Sequence, residues 1–229
     1  RRWSKTFQNV IATFDFKDTT IDYRAPLTAV TQATGKGRYD YESDTLSVEV
    51  SKAALNDMNI TDSTLTIERV LGNNGMATVD VDLTGSLQSV LKYIEPEPIG
   101  FRTDTINGDT GDIKGNTDLN VVVQFPTLKD LPQDQVIVTV DGKIKDMVLP
   151  NLIDEIDLTG QSFDFAYKEG LVNLAGSGHL VTDHVTSPID IKWQSYAEPG
   201  GKDYESKITA QTDISDALLS ALDIDLTDW

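Results

Sequence analysis

Residues 79–94, VDVDLTGSLQSVLKYI, change from strand periodicity to helix periodicity within sixteen residues. Val79 and Val81 alternate with aspartates, which is the period-2 pattern of a strand with one apolar and one solvated face. Over Ser86–Ile94 the apolar residues recur at helical spacing, and Ser86 is an expected N-cap. The stretch therefore predicts a β-strand that runs directly into a short helix.

The same period-2 alternation recurs along most of the chain, with Val, Ile and Thr filling the runs as strands prefer. Short turn signals separate the runs, and short connections favour antiparallel meanders. These signals are Ser43-Asp44, the segment 72–75, Asp141-Gly142, the segment 168–170 and the segment 199–201. The pattern predicts about ten strands in one mostly β, antiparallel meander sheet.

A weak internal repeat accompanies the strands. A second helix is predicted near 214–222, and like the helix near 86–94 it directly follows a strand. The two Pro and four Gly of the long connection at 95–116 separate the halves. We therefore predict a first repeat over 1–128 and a second over 129–229, joined as one continuous structural domain.

Composition excludes several classes of function. The chain has 19 Lys and Arg against 37 Asp and Glu, a net charge of −18, which repels nucleic acid and anionic lipid head groups alike. There is no Cys, so disulfides, thiolate catalysis and cysteine-based zinc sites are excluded. No apolar run is long enough to span a bilayer. The opening Arg1-Arg2-Trp3 lacks an initiator Met and a signal core, and we interpret the chain as part of a longer protein.

The predicted sheet is too wide for its own helices to cover. About ten strands at about 4.8 Å spacing span about 48 Å, whereas each predicted helix is about 13 Å long. The apolar face must therefore curl onto itself or hold a hydrophobic ligand. We predict a curved, taco-like β-groove with two short capping helices. Its candidate lipid-binding residues are Phe14, Phe16, Tyr39, Tyr41, Val48, Val50, Leu65, Ile67, Val79, Val81, Val121, Val123, Phe163, Phe165, Ile189, Ile191 and Trp193.

The order of elements resembles a known family. An aromatic-Asp-aromatic hairpin at Tyr39–Tyr41, the strand-plus-helix element at 82–87 and a strand ending at Phe125-Pro126 are followed by a second round. This order, over about residues 10–222, is similar to the periplasmic region of AsmA-like proteins, in the branch that includes YhdP and is related to TamB.

The resemblance implies a β-groove protein of Gram-negative bacteria that carries phospholipid acyl chains between the inner and outer membranes. It implies periplasmic localisation as part of an inner-membrane-anchored protein, with the anchor outside this chain. The implied partners are phospholipid or another acyl-chain ligand and the inner membrane. The family pattern supplies no catalytic residues, so we expect no enzymatic activity and no cofactor.

Other interpretations stay open at this stage. The acidic loop 104–118 has oxygen ligands that suit Ca²⁺, but Asp, Asn and Gly are also turn residues, and we assign no metal site. His179 and His184 fall on opposite faces of an extended chain, so a paired role is not expected. A carboxylate pair of the glycosidase type is not excluded by sequence alone. The alternative function is a closed β-sandwich, a structural or adhesive module of a surface protein without ligand.

Overall fold

The protein is mostly β. The computed structural model describes residues 10–22, 28–72, 74–94, 112–132, 135–153, 155–183, 185–197 and 204–212. Within these residues the strands are β1 (Ile11–Ile21), β2 (Val30–Asp40), β3 (Thr45–Leu55), β4 (Met58–Glu68), β5 (Met76–Ser86), β6 (Lys114–Pro126), β7 (Ile137–Ile153), β8 (Ile156–Lys168), β9 (Leu171–Val181), β10 (Thr186–Ala197) and β11 (Tyr204–Thr212), and helix α1 (Leu87–Ile94) lies between β5 and β6.

The eleven strands form one sheet in strict sequence order, from β1 to β11. Neighbours such as β2–β3 and β8–β9 pair antiparallel. This confirms the predicted mostly β, antiparallel meander. Turns occur as predicted after Asp40 and at Glu169-Gly170, where the positive φ angles of a tight hairpin are found.

The predicted turn at Asp141-Gly142 is wrong, because both residues lie inside β7. A Cβ at position 142 would overlap the Asp118 carbonyl oxygen of β6 and lie 2.8 Å from Leu119 Cα. Gly142 therefore permits a close approach of two backbones instead of a chain reversal. An Asp-Gly pair occurs both at chain reversals and where two backbones approach closely, and only the neighbouring strand shows which of the two is present.

Helix α1 begins where the sequence predicts. The Ser86 Oγ accepts a hydrogen bond from the Ser89 backbone N–H at 3.1 Å, which is the geometry of an N-cap. Lys92 lies in the last turn, where a cation favours the helix dipole. α1 is the one helix among the described residues, and the helix predicted near 214–222 lies outside them.

Packing divides the chain into two compact units. Unit 1 comprises residues 1–83 and 120–138, and unit 2 comprises residues 84–119 and 139–229. β5, β6 and β7 each contribute to both units, so the division differs from the predicted sequential one at 128/129. The two-repeat organisation stays a prediction.

Several strands kink at a residue with positive φ. Asp18, Gln32, Asp62 and Asp146 lie inside β1, β2, β4 and β7, with φ between 45° and 55°. At each kink the alternation changes phase: in β7, Ile144 precedes Asp146, Met147 follows it, and both join one core cluster. The kinks thus keep apolar residues on one face although strict alternation would turn them away.

Candidate ligand-binding face

Unit 1 carries an apolar face built by cross-strand register. Phe14 pairs with Gly37, Gly37 with Val48, and Val48 with Leu65, so four strands contribute to one row. Parallel rows lie on either side of it. We call the set the unit 1 apolar face, and its members are Phe14, Phe16, Gly35, Gly37, Tyr39, Leu46, Val48, Val50, Leu65 and Ile67.

The opposite face of the same strands is charged. Asp15 pairs with Lys36, and Lys36 with Glu49. The Lys36 Nζ lies 3.0 Å from a Glu49 carboxylate oxygen, with both side chains mostly exposed. Such a pair adds little stability but keeps this face solvated. Unit 1 is therefore amphipathic across β1–β4, with one wet and one apolar side.

The large side chains of the unit 1 apolar face are incompletely covered by protein. Phe14 is 46% exposed, and Phe16, Val48, Val50 and Leu65 are half-buried. Toward the other end of the same strands the apolar residues are buried; they are Ala33, Ala53, Leu55, Met58 and Ile60. Unit 1 thus has a packed section and an open apolar section on neighbouring parts of the same strands.

The parts of β5 and β6 that belong to unit 1 also have one polar and one apolar face. Asn120 donates hydrogen bonds from its amide to the carboxylates of Asp80 and Asp82, at 2.7 and 2.9 Å. The alternating valines of these strands point to the other side and are half-buried; they are Val79, Val81, Val121 and Val123.

Unit 2 closes its apolar face with α1. Leu87 and Leu91 of the helix belong to one buried cluster with Phe163, Ile189 and Ile191, all at most 9% exposed. Phe165 and Trp193 pack against this cluster, and the Trp193 Nε1 is buried without a hydrogen-bond partner among the described residues. The structure therefore places the predicted lipid-binding residues Phe163, Ile189 and Ile191 in a protein-covered core, with Phe165 and Trp193 partly buried against it.

Tyr39 and Tyr41 have different environments. Tyr41 lies in the turn after β2 and is 47% exposed, so it does not belong to a strand face. Burial, followed by a 2.8 Å hydrogen bond that the Tyr39 hydroxyl donates to Asp44, raises the pKa of Tyr39 to about 12. Asp44 also accepts a hydrogen bond from the Leu71 N–H, which ties two turns together. Tyr39 is therefore neutral at physiological pH and adds no charge to the apolar face.

Aromatic rings lie over glycines on both apolar faces. A Cβ on Gly37 would overlap the ring of Phe14, and a Cβ on Gly35 would lie 2.6 Å from Phe16 Cζ. In unit 2 a Cβ on Gly176 would lie 2.7 Å from Phe163 Cδ1. Sequence reasoning identified the phenylalanines but missed the glycines, whose spacing of two, Gly35 and Gly37, was the available signal.

Polar side chains form no candidate metal centre in the described ranges. No group of three or more His, Asp or Glu there could hold a metal ion. Most of the acidic loop 104–118 and His184 lie outside the described residues, and His179 is exposed on β9. An open depression of about 830 Å³ in unit 2 is lined by Asp146, Gln161, Ser177, His179 and Asp190 among others.

The family model described as YhdP protein matches residues 3–228. The chain belongs to the YhdP family. This confirms the resemblance to the YhdP branch of AsmA-like proteins. Searches of curated proteins and of solved structures gave no match. Among the described residues, no helix of this YhdP-family chain has the length and apolar character needed to cross a bilayer.

Proposed function

We propose that this YhdP-family chain is a segment of a Gram-negative envelope protein that holds phospholipid acyl chains on its unit 1 apolar face, for transport between the inner and outer membranes. The observation that carries the proposal is the half-exposed state of the apolar rows across β1–β4. Contiguous apolar patches on soluble proteins are characteristic of interaction sites. Family membership supports an envelope function.

An acyl chain matches the dimensions and chemistry of this face. The row from Phe14 to Leu65 crosses three strand spacings, about 14 Å at about 4.8 Å each. Each methylene removed from water contributes about 0.8 kcal/mol, so a chain laid along the row needs no polar partner. The acidic composition of the protein favours contact with the hydrocarbon part of a lipid over an anionic head group.

The cellular location and the partners that we propose are those that membership of the YhdP family suggests. The protein acts in the periplasm, and a segment outside this chain attaches it to the inner membrane. Its partner is a phospholipid or another acyl-chain ligand. We propose no enzymatic activity, because the proposed site consists of hydrocarbon and aromatic side chains, and the hydroxyl of Tyr39 donates a hydrogen bond to Asp44.

The alternative, a closed β-sandwich with a structural or adhesive role, is supported by the core of unit 2. Phe163 and Leu158 are fully buried there, as a ligand-free module requires. The open rows of unit 1 do not fit that alternative, because a closed sandwich seals its apolar face between two layers of strands. Acyl-chain binding therefore requires an exposed apolar face in unit 1, whereas a closed β-sandwich requires that face to be sealed.

A pair of neighbouring substitutions tests the proposal. Val48→Asp introduces a carboxylate into the central row of the unit 1 apolar face, and Ser47→Asp introduces the same group on the exposed, opposite face beside Arg38. We expect Val48→Asp to weaken binding of a fluorescent fatty acid at least about tenfold, because the charge must be desolvated, and Ser47→Asp to bind normally. Fluorescence titration measures both affinities, and circular dichroism checks the fold. Equal affinities for the two variants, or no binding by the unmodified chain, contradict the proposal.

A further inference from the structure

We propose that Phe14 and Phe16 form an aromatic subsite that contacts the acyl chain directly, with Gly35 and Gly37 providing the space in which the two rings lie. This inference rests on the proposed function and adds the residues that position the ligand at the β1 side of the unit 1 apolar face.

The rings of Phe14 and Phe16 lie over two residues of β2, Gly37 and Gly35, that have no side chains. Phe14 pairs with Gly37 and Phe16 with Gly35, so each ring extends from β1 across the facing glycine of β2. The ring centroids are 6.4 Å apart, and the planes are inclined by 39°. Gly37 is buried beneath its ring, whereas Phe14 itself is 46% exposed. The rings cover the glycines, and part of the outer ring surface is open to solvent.

Unit 2 contains the same arrangement in a covered state. Phe163 lies against Gly160 and Gly176, and it is 0% exposed. It belongs to the cluster that includes Leu87 and Leu91 of α1. In unit 2, protein side chains thus supply the hydrocarbon that covers a phenylalanine seated on glycines. In unit 1 we assign that role to the acyl chain.

The glycines leave space for the rings. A side chain at either position would occupy the place where a ring lies. Gly37 is the position to alter, because the three nearest atoms that its added Cβ would meet all belong to the flexible Phe14 ring. At Gly35 the added Cβ would overlap the Glu49 carbonyl oxygen, so substitution there strains the backbone instead.

Single cysteines test ligand contact without removing either ring, since the natural chain has no Cys. Ala12→Cys lies on the same face as Phe14, and Thr13→Cys lies on the opposite face of the same strand. Val50→Cys reports on the part of the unit 1 apolar face that lies on β3, two strands from β1. The measurement is the rate of iodoacetamide labelling with and without palmitate. We expect palmitate to slow labelling of Ala12→Cys and Val50→Cys and to leave Thr13→Cys unchanged.

The outcomes separate this inference from the proposed function. Protection of Val50→Cys without protection of Ala12→Cys overturns the aromatic subsite and leaves acyl binding intact. Protection of neither overturns both. Protection of all three, Thr13→Cys included, indicates a general change of the protein and also overturns the subsite.

Affinity measurements test the rings themselves. The double variant Phe14→Ala with Phe16→Ala is expected to bind palmitate at least about fivefold more weakly, because apolar contact area is lost. Replacing both residues with leucine is expected to restore part of the affinity. Gly37→Ala, which displaces the Phe14 ring, is expected to bind more weakly than the natural chain. Unchanged palmitate affinity in both the double alanine variant and Gly37→Ala overturns the assignment.

Discussion

Phe163→Ala is expected to lower the free energy of unfolding by about 3–5 kcal/mol, the range for removing a buried phenylalanine and leaving a cavity. Phe163 is 0% exposed and lies against the backbones of Gly160 and Gly176. Those glycines have no side chains that could move into the space, and the surrounding sheet is hydrogen-bonded across β7, β8 and β9. Urea denaturation followed by circular dichroism measures the change.

Phe14→Ala is the matched control, since this residue also covers a glycine but is 46% exposed. Less apolar area is removed from water there, and the expected cost is below about 1.5 kcal/mol. A cost for Phe14→Ala equal to that for Phe163→Ala would contradict the distinction between an open face in unit 1 and a covered face in unit 2.

Leu91→Asp is expected to destabilise the protein by at least about 3 kcal/mol, because it removes a buried leucine and places a carboxylate in the same apolar cluster. Leu91 is 7% exposed and packs in the cluster that contains Phe163 and Ile191. We expect α1 to separate from the sheet and expose the unit 2 core. Binding of a dye that fluoresces on apolar surfaces should therefore increase.

Lys92→Ala on the same helix provides the comparison. Lys92 is exposed in the last turn, where its charge favours the helix dipole by about 0.3–1 kcal/mol. Its removal should reduce stability by no more than that amount and leave dye binding unchanged. A Leu91→Asp variant with the stability and dye binding of Lys92→Ala would show that α1 does not cover the unit 2 core.

Much of the sheet could be predicted from alternation alone. Leu46, Val48 and Val50 alternate with polar residues and lie in β3 as expected. Strict alternation fails at the kinks, because Met58 and Ile60 have the opposite phase from Leu65 and yet are buried beside the same face. The adjacent polar residues Thr61 and Asp62 are the visible signal, since Asp adopts positive φ more readily than most residues.

Which apolar residues are open and which are covered could not be predicted. Val48 and Ile191 both alternate with polar neighbours in their strands, but Val48 is half-buried and Ile191 is 4% exposed. Ile191 belongs to a buried cluster that includes Leu87 and Leu91 of α1, which are distant in sequence, and Val48 does not. Local pattern fixes which side of a strand is apolar, whereas long-range packing decides what covers it.

Contacts between ligand and protein methyl groups test the central claim most directly. The chain is labelled with ¹³C at its Val, Leu and Ile methyl groups and mixed with palmitate, and intermolecular nuclear Overhauser effects are recorded. We predict contacts from the palmitate methylenes to Val48, Val50 and Leu65 of the unit 1 apolar face. We predict none to Leu158 or Ile191, which are buried in unit 2. Contacts restricted to unit 2, or no contacts in a sample saturated with palmitate, would contradict the account.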